Sequence, residues 1–214
     1  NHKTLRNTPA PQFAMKPLAL CIAALFAIHG LPAFAAPPIP PAANALPEGG
    51  RISAGQASIS QSGNRMDITQ GSNRAVLDWN SFNIGSNARV DFIQPNASAI
   101  ALNRVSTGDA SRIYGQLNAN GQVWLINPAG VVFGAGSKVD VGGLVASTLD
   151  TLNSDFMNGK AEFKGSGGNV LNQGTIHAAD GGTVALLGTQ AINEGVISAK
   201  LGNVVLAAGN KVTL

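Results

Sequence analysis

The sequence predicts an all-β protein wound as a β-solenoid, and three observations predict it. Apolar residues come in short runs rich in Val, Ile and Leu, with Gly, Asn or Pro at nearly every junction, as in residues 118–150 (NANGQVWLINPAGVVFGAGSKVDVGGLVASTLD). Runs this short between turn formers are strands, not helices. The chain also repeats itself. Gly121-Gln122-Val123-Trp124-Leu125 aligns with Gly142-Gly143-Leu144-Val145-Ala146, residues 172–178 with 193–199, and Gly181, Val184 and Gly188 with Gly202, Val205 and Gly209, each 21 positions on. A period near 20 made of strand-length pieces and turns is the mark of a solenoid, in which each coil buries its apolar face only against its neighbours. Finally, charged residues make up 12% of the 214 residues, consistent with one compact or elongated domain.

At the N-terminus, Lys3, Arg6 and Lys16 precede the apolar run 18–26, and Ala33-Phe34-Ala35 supplies small residues in an A-x-A pattern. This is a secretory signal peptide cut between Ala35 and Ala36, delivered to the Sec translocon. The run is shorter than the roughly 20 apolar residues a membrane span needs. Residues 1–14, ahead of Met15, read either as a leader extension or as a misplaced start. The one cysteine, Cys21, falls within the leader, so the processed chain carries no disulfide. An exported chain without Cys suits passage through a second membrane unfolded, which a disulfide loop would hinder. The +3 net charge is also a leader property: from residue 36 on there are eleven basic and eleven acidic residues. Nothing in that balance argues for nucleic acid.

Residues 36–48, Pro-rich, are expected to form a stiff extended spacer, and residues 49–214 the folded domain. Short alternating runs begin after Gly49-Gly50. Residues 65–70 place Met66 and Ile68 on one face. Trp79 and Phe82 are large anchors expected in the core or in a cap over the first coil, where strand edges need cover. Strands follow at 89–96, 99–105 and 113–117, ahead of the central stretch. Residues 149–165, with more charge and with Phe156 and Phe163, are the expected interruption, a short helix or an excursion. Regular coils resume after Gly168, and Leu214 stops mid-pattern, so the solenoid is expected to continue beyond it. Asn172 and Asn193, one coil apart, are placed either for a side-chain ladder or for two independent turns.

Four motifs then fall in order. They are Asp78-Trp79-Asn80-Ser81-Phe82-Asn83-Ile84; Val90-Asp91-Phe92-Ile93-Gln94-Pro95-Asn96 with Leu102-Asn103-Arg104-Val105; Gly121 to Gly130, ending Asn127-Pro128-Ala129-Gly130; and Ala146-Ser147-Thr148-Leu149-Asp150. Together they resemble the secretion domain of two-partner-secretion exoproteins of the filamentous haemagglutinin and high-molecular-weight adhesin type. The resemblance covers essentially the whole processed chain. It implies a right-handed parallel β-helix with an N-terminal cap. It also implies recognition in the periplasm by the POTRA domains of a dedicated TpsB-type outer-membrane β-barrel transporter, and release at the cell surface or into the medium of a Gram-negative bacterium. Adhesion to host glycans or proteins would lie in later parts of such a chain. The residues that the resemblance marks for secretion or transporter recognition are Asn127, Pro128, Ala129 and Gly130, the looser Gln94-Pro95-Asn96, and Asn103-Arg104. The family's turn reads Asn-Pro-Asn-Gly, so Ala129 departs from it, and any side-chain role there is lost or was never essential. Turn chemistry alone also explains these residues, since Pro presets φ and Asn bonds to its own backbone.

Two other classes compete. Parallel β-helices also carry polysaccharide lyases and hydrolases, but Asp78, Asp91, Asp109, Asp140 and Asp150 are scattered without a paired motif. His177, the one His beyond the leader, has no neighbouring Cys or Asp pair. Neither a catalytic constellation nor a cofactor or metal site is assembled. A passive autotransporter-like surface stalk shares the solenoid and is distinguished by a barrel in the same chain. Arg89, Arg104 and Arg112 read either as exposed recognition charges or as ordinary solvated positions, the latter being expected. Asn96-Ala97-Ser98 reads either as a glycosylation acceptor or, as expected in a chain rich in Asn and Ser, as a chance sequon.

Overall fold

A computed structural model describes residues 39–214, within a compact unit of residues 37–214. The leader, with its cleavage residues Ala33, Ala35 and Ala36, lies outside the described residues. The first strands are β1 (Arg51–Ala54), β2 (Ala57–Ser62), β3 (Arg65–Gln70) and β4 (Arg74–Trp79). β1 pairs antiparallel with β4, and β2 antiparallel with β3. Two sheets therefore begin on an antiparallel strand, which is the N-terminal cap.

From there the chain winds through β5 (Arg89–Ile93), β6 (Ile100–Val105), β7 (Ser111–Ile113), β8 (Gln116–Ala119), β9 (Gln122–Ile126), β10 (Val131–Phe133), β11 (Lys138–Val141) and β12 (Gly143–Ser147). It leaves the coil for α1 (Asn153–Met157) and β13 (Glu162–Lys164). It returns through β14 (Asn169–Asn172), β15 (Thr175–Ala178), β16 (Thr183–Gly188), β17 (Gln190–Asn193), β18 (Val196–Ala199) and β19 (Asn203–Ala208), and ends on β20 (Lys211–Thr213). The sheet orders are β1-β4-β6-β9-β12-β16-β19, β17-β14-β10-β7 and β18-β15-β11-β8-β5-β3-β2, so successive strands visit three faces in turn. Apart from the cap, all pairs in these sheets are parallel. The fold is the expected parallel β-helix.

Alternation makes each coil two-faced. Met66, Val90, Leu117, Val139, Ile176 and Ile197 stand in one register column. Facing into the same core is the column Leu77, Asn103, Leu125, Ala146 and Leu186, which ends on the partly exposed Leu206. The 21-residue register holds between β9 and β12, where Trp124 pairs Val145, and between β14 and β17, where Asn172 pairs Asn193. It fails between β16 and β19. Val184 pairs Val204 rather than the expected Val205, Gly188 pairs Ala208 rather than Gly209, and it is Gly182, not Gly181, that lies over Gly202. The turn after β18 is one residue shorter than the turn after β15. Leu201 takes up the difference at φ 56, alone among the described non-glycine residues in having a positive φ. A slip of one residue inside the strand would have turned every side chain to the opposite face, so the deletion is confined to the turn.

The expected spacer is docked in its second half. Asn87 donates to the Ala43 carbonyl at 2.8 Å, Gly85 to Ala45 at 2.9 Å and Asn80 to Glu48 at 2.9 Å, and Leu46 is buried. Backbone groups at the fold's end need partners, and this segment supplies them. The expected interruption is real: β13 pairs antiparallel with β20 across the outer face of the first sheet. Phe156 and Phe163 each lie 5.2 Å from the Trp124 ring and close a second apolar cluster with Leu102, Ile126 and Val145.

Candidate functional site: corner turns and the strapped sheet face

The Asn127-Pro128-Ala129-Gly130 turn joins β9 to β10. Asn127 is fully buried, and its amide is used at both ends. Nδ2 donates to the Asp109 carbonyl at 2.9 Å and to Ser111 Oγ at 3.0 Å, while Oδ1 accepts the Ala129 N–H at 2.9 Å. The Gly130 N–H closes the turn on the Asn127 carbonyl at 3.0 Å. The third turn position contributes only its backbone N–H, so Ala serves there as well as Asn. Gly130 has φ 130, a backbone that disfavours any side chain. Pro128 is the exposed member, and its carbonyl accepts the Gly168 N–H from the next coil at 2.7 Å.

Gln94 is equally buried. Its Nε2 lies 2.9 Å from Gln70 Oε1, 3.1 Å from the Ala99 carbonyl and 3.2 Å from the Gln122 carbonyl, and its Oε1 accepts the Gly121 N–H at 3.0 Å. Pro95 and Asn96 are exposed. Asn96 Oδ1 accepts the Ser98 N–H at 3.0 Å, and its Nδ2 donates to Asn73 Oδ1 at 2.8 Å. This corner joins the third sheet to the first, whereas the Asn127 corner joins the first to the second. The structure does not bring the two turns together.

Asn103 and Arg104, adjacent on β6, point to opposite faces. Asn103 is inside, where Oδ1 accepts the Trp79 indole N–H at 3.0 Å; Trp79 stands edge-on to Phe82 at 5.5 Å. Arg104 points outward but is not solvated as expected, its side chain being 16% exposed. It bonds Asp150 Oδ1 at 2.9 Å, Asn153 Oδ1 at 2.6 Å and the Thr151 carbonyl at 2.6 Å, with Asp78 at 3.7 Å. Its reason is geometric: the excursion passes directly over β6, and a guanidinium fork can hold several acceptors at once. Asp78 and Asp150, far apart in sequence, thus share one arginine.

The sequence also carries a second repeat, of 24 residues. Arg65-Met66-Asp67-Ile68-Thr69-Gln70 and Arg89-Val90-Asp91-Phe92-Ile93-Gln94 are 24 positions apart and pair in register. In each, Arg reaches the Asp two residues on, at 2.8 Å and 2.7 Å. Asp91, buried, also takes Arg65 at 3.2 Å and Asn118 at 3.0 Å, and its hydrogen bond holds the Arg89 guanidinium above its usual pKa. Farther along the same face His177 Nδ1 meets Asp140 at 2.9 Å. Among the described residues no group of three or more His, Cys, Asp or Glu is placed to hold a metal ion.

Comparison with known proteins carries this arrangement to a family. Residues 43–214 match the family model described as the TPS secretion domain. Of solved structures, the secretion domain of HMW1 from Haemophilus influenzae superposes with a TM-score of 0.71 at 32% identity, covering 78% of this chain and 46% of that one. The filamentous hemagglutinin secretion domain gives 0.59 at 18% identity, covering 78% and 64%, and shows the fold alone. A heme/hemopexin-binding protein of Haemophilus influenzae is 41% identical, covering 78% of this chain and 20% of its own length; a second protein of that name is 51% identical over 86 residues. The chain thus spans about a fifth of that curated relative. The family match begins at Ala43, whose carbonyl accepts the Asn87 N–H. With its capped coils and its buried Asn turn, the chain belongs to the TPS secretion domain family.

Proposed function

We propose that this chain is the export-directing N-terminal part of a larger surface-exposed or secreted exoprotein. A Sec signal in residues 1–35 delivers it to the periplasm. There the POTRA domains of a cognate outer-membrane β-barrel transporter engage it, and the barrel passes it to the cell surface or the medium. The observation that carries the reading is the family match over residues 43–214. The geometry suits the role. Each coil templates the next through parallel backbone pairing, so a chain emerging from a pore folds progressively on coils already outside. That directional gain opposes backsliding without a cofactor or a catalytic site.

Within the marked residues, the buried Asn127, Gly130, Gln94 and Asn103 hold the coils in register, and Arg104 holds the excursion. The exposed Pro128, Pro95 and Asn96 are the members left for transporter contact. Asp and His residues on the third sheet are paired groups, Asp91 buried and Asp140 and His177 exposed, rather than a catalytic set. Binding of heme or hemopexin, named for the relatives, is a property to examine in the full-length protein. The test is binding of the processed chain to the purified periplasmic domains of the cognate barrel. Saturable binding that weakens in Pro128→Ala or Asn96→Ala variants with unchanged thermal midpoints supports the reading. Absence of binding by both folded and unfolded chain overturns it.

A further inference from the structure

The excursion over residues 149–165 rests on parts of the chain that come later. Its floor on the first sheet includes Ala185 and Leu187 of β16, with Val205 and Ala207 of β19 packed beside them. Its one strand partner is β20, where Phe163 faces Val212. Without those later strands the excursion keeps the Trp124 side of its floor and the Arg104 bonds, but little structure of its own. α1 is five residues long and its N-cap residue, Leu152, makes no side-chain capping bond. Such a helix does not hold itself. β13 keeps only its bridge between Asp150 and Lys164. Leu152 is 68% exposed, and two buried polar atoms beneath or beside the excursion, Arg74 Nη1 and Thr151 Oγ1, have no hydrogen-bond partner. Arg74 contacts the excursion through the Phe156 ring, 5.2 Å from its guanidinium carbon.

We infer that the excursion is a late-closing strap. The coils stack first, with the outer strip of Val76, Leu102, Trp124 and Val145 uncovered. The strap shuts over that strip only when β16, β19 and β20 are in place, and Arg104 then latches it through Asp150, Asn153 and Thr151. During export from the N-terminus, closure marks arrival of residues 211–213 outside the pore; this consequence rests on the export reading, the strap itself does not.

The test uses thiol probes in the full processed chain, which has no cysteine of its own. Ala185→Cys sits under the strap and Ala146→Cys inside the solenoid, both fully buried in the parent. On refolding from denaturant, Ala146→Cys gains protection at least about tenfold sooner than Ala185→Cys, as expected for separate folding units. Adding Val212→Asp then raises labelling of Ala185→Cys by about tenfold or more and leaves Ala146→Cys protected. Simultaneous protection of the two thiols overturns late closure. An unchanged Ala185→Cys rate in the Val212→Asp chain, or equal exposure of both probes, overturns the strap as a unit. No transporter enters these measurements, so they fail or succeed independently of the export reading.

Discussion

Asn127 Nδ2 stands 3.0 Å from Ser111 Oγ, at the corner where the first sheet passes to the second. With the Asp109 carbonyl and the Ala129 N–H, this makes the family's marked Asn a buried structural cross-link between two coils. Asn127→Ala removes three hydrogen bonds and orphans Ser111 in the interior, at a cost of about 2–4 kcal/mol. The denaturant midpoint falls accordingly, while Pro128→Ala, on the exposed side, shifts it by less than about 1 kcal/mol.

Trp79 and Asn103 form the second buried polar cross-link. Asn103→Ala leaves both a cavity and an unpaired indole N–H, and costs about 2–4 kcal/mol. Asn103→Leu refills the volume and recovers part of that loss. Equal destabilisation by the two variants would show that the indole hydrogen bond, not packing, sets the cost.

Arg104 separates local from global stability. Arg104→Ala loses contacts to Asp150, Asn153 and Thr151, and loosens the excursion by about 2 kcal/mol after allowance for its partial exposure. Hydrogen exchange at the Phe156 amide rises while that of β9 stays protected. Arg104→Lys does not restore it, because an ammonium cannot hold three directed acceptors in a fork.

Glu162 gives the strap a pH dependence. A hydrogen bond from Lys164, with Lys211 beyond it, holds the partly exposed Glu162 carboxyl below its ordinary pKa of 4.5. A depressed carboxylate stabilises the fold above the unfolded value and loses that contribution as pH falls through the folded one. Protection of β13 and β20 amides, taken relative to their intrinsic exchange rates, therefore falls as pH drops below about 4.5, and Glu162→Gln removes this dependence. Being exposed, the pair also weakens at high salt.

Much of this fold is legible in the sequence because a solenoid writes its register as a period. The Trp124–Val145 and Asn172–Asn193 pairs follow from counting residues, and the second becomes a ladder at 2.7 Å. Counting misleads where a turn absorbs a deletion, as at Leu201, since turn length leaves no trace in the strands around it. The roles of the marked residues were less legible. Arg104 looks like a solvated charge on an alternating strand until an excursion 46 residues later covers it. The Pro-rich segment reads as a spacer because, apart from the buried Leu46, it is held by backbone bonds, which composition does not encode. The 24-residue repeat of Arg-x-Asp and Gln was available in the residues and gives the polar ladder over β3 and β5 directly.

Export by a dedicated partner is tested by secretion of the chain with and without a co-expressed cognate outer-membrane barrel. Release into the medium is expected only with the barrel, and reduced release for Pro128→Ala and Asn96→Ala chains that fold normally. Release without any barrel, or retention in the periplasm beside the correct one, would contradict it.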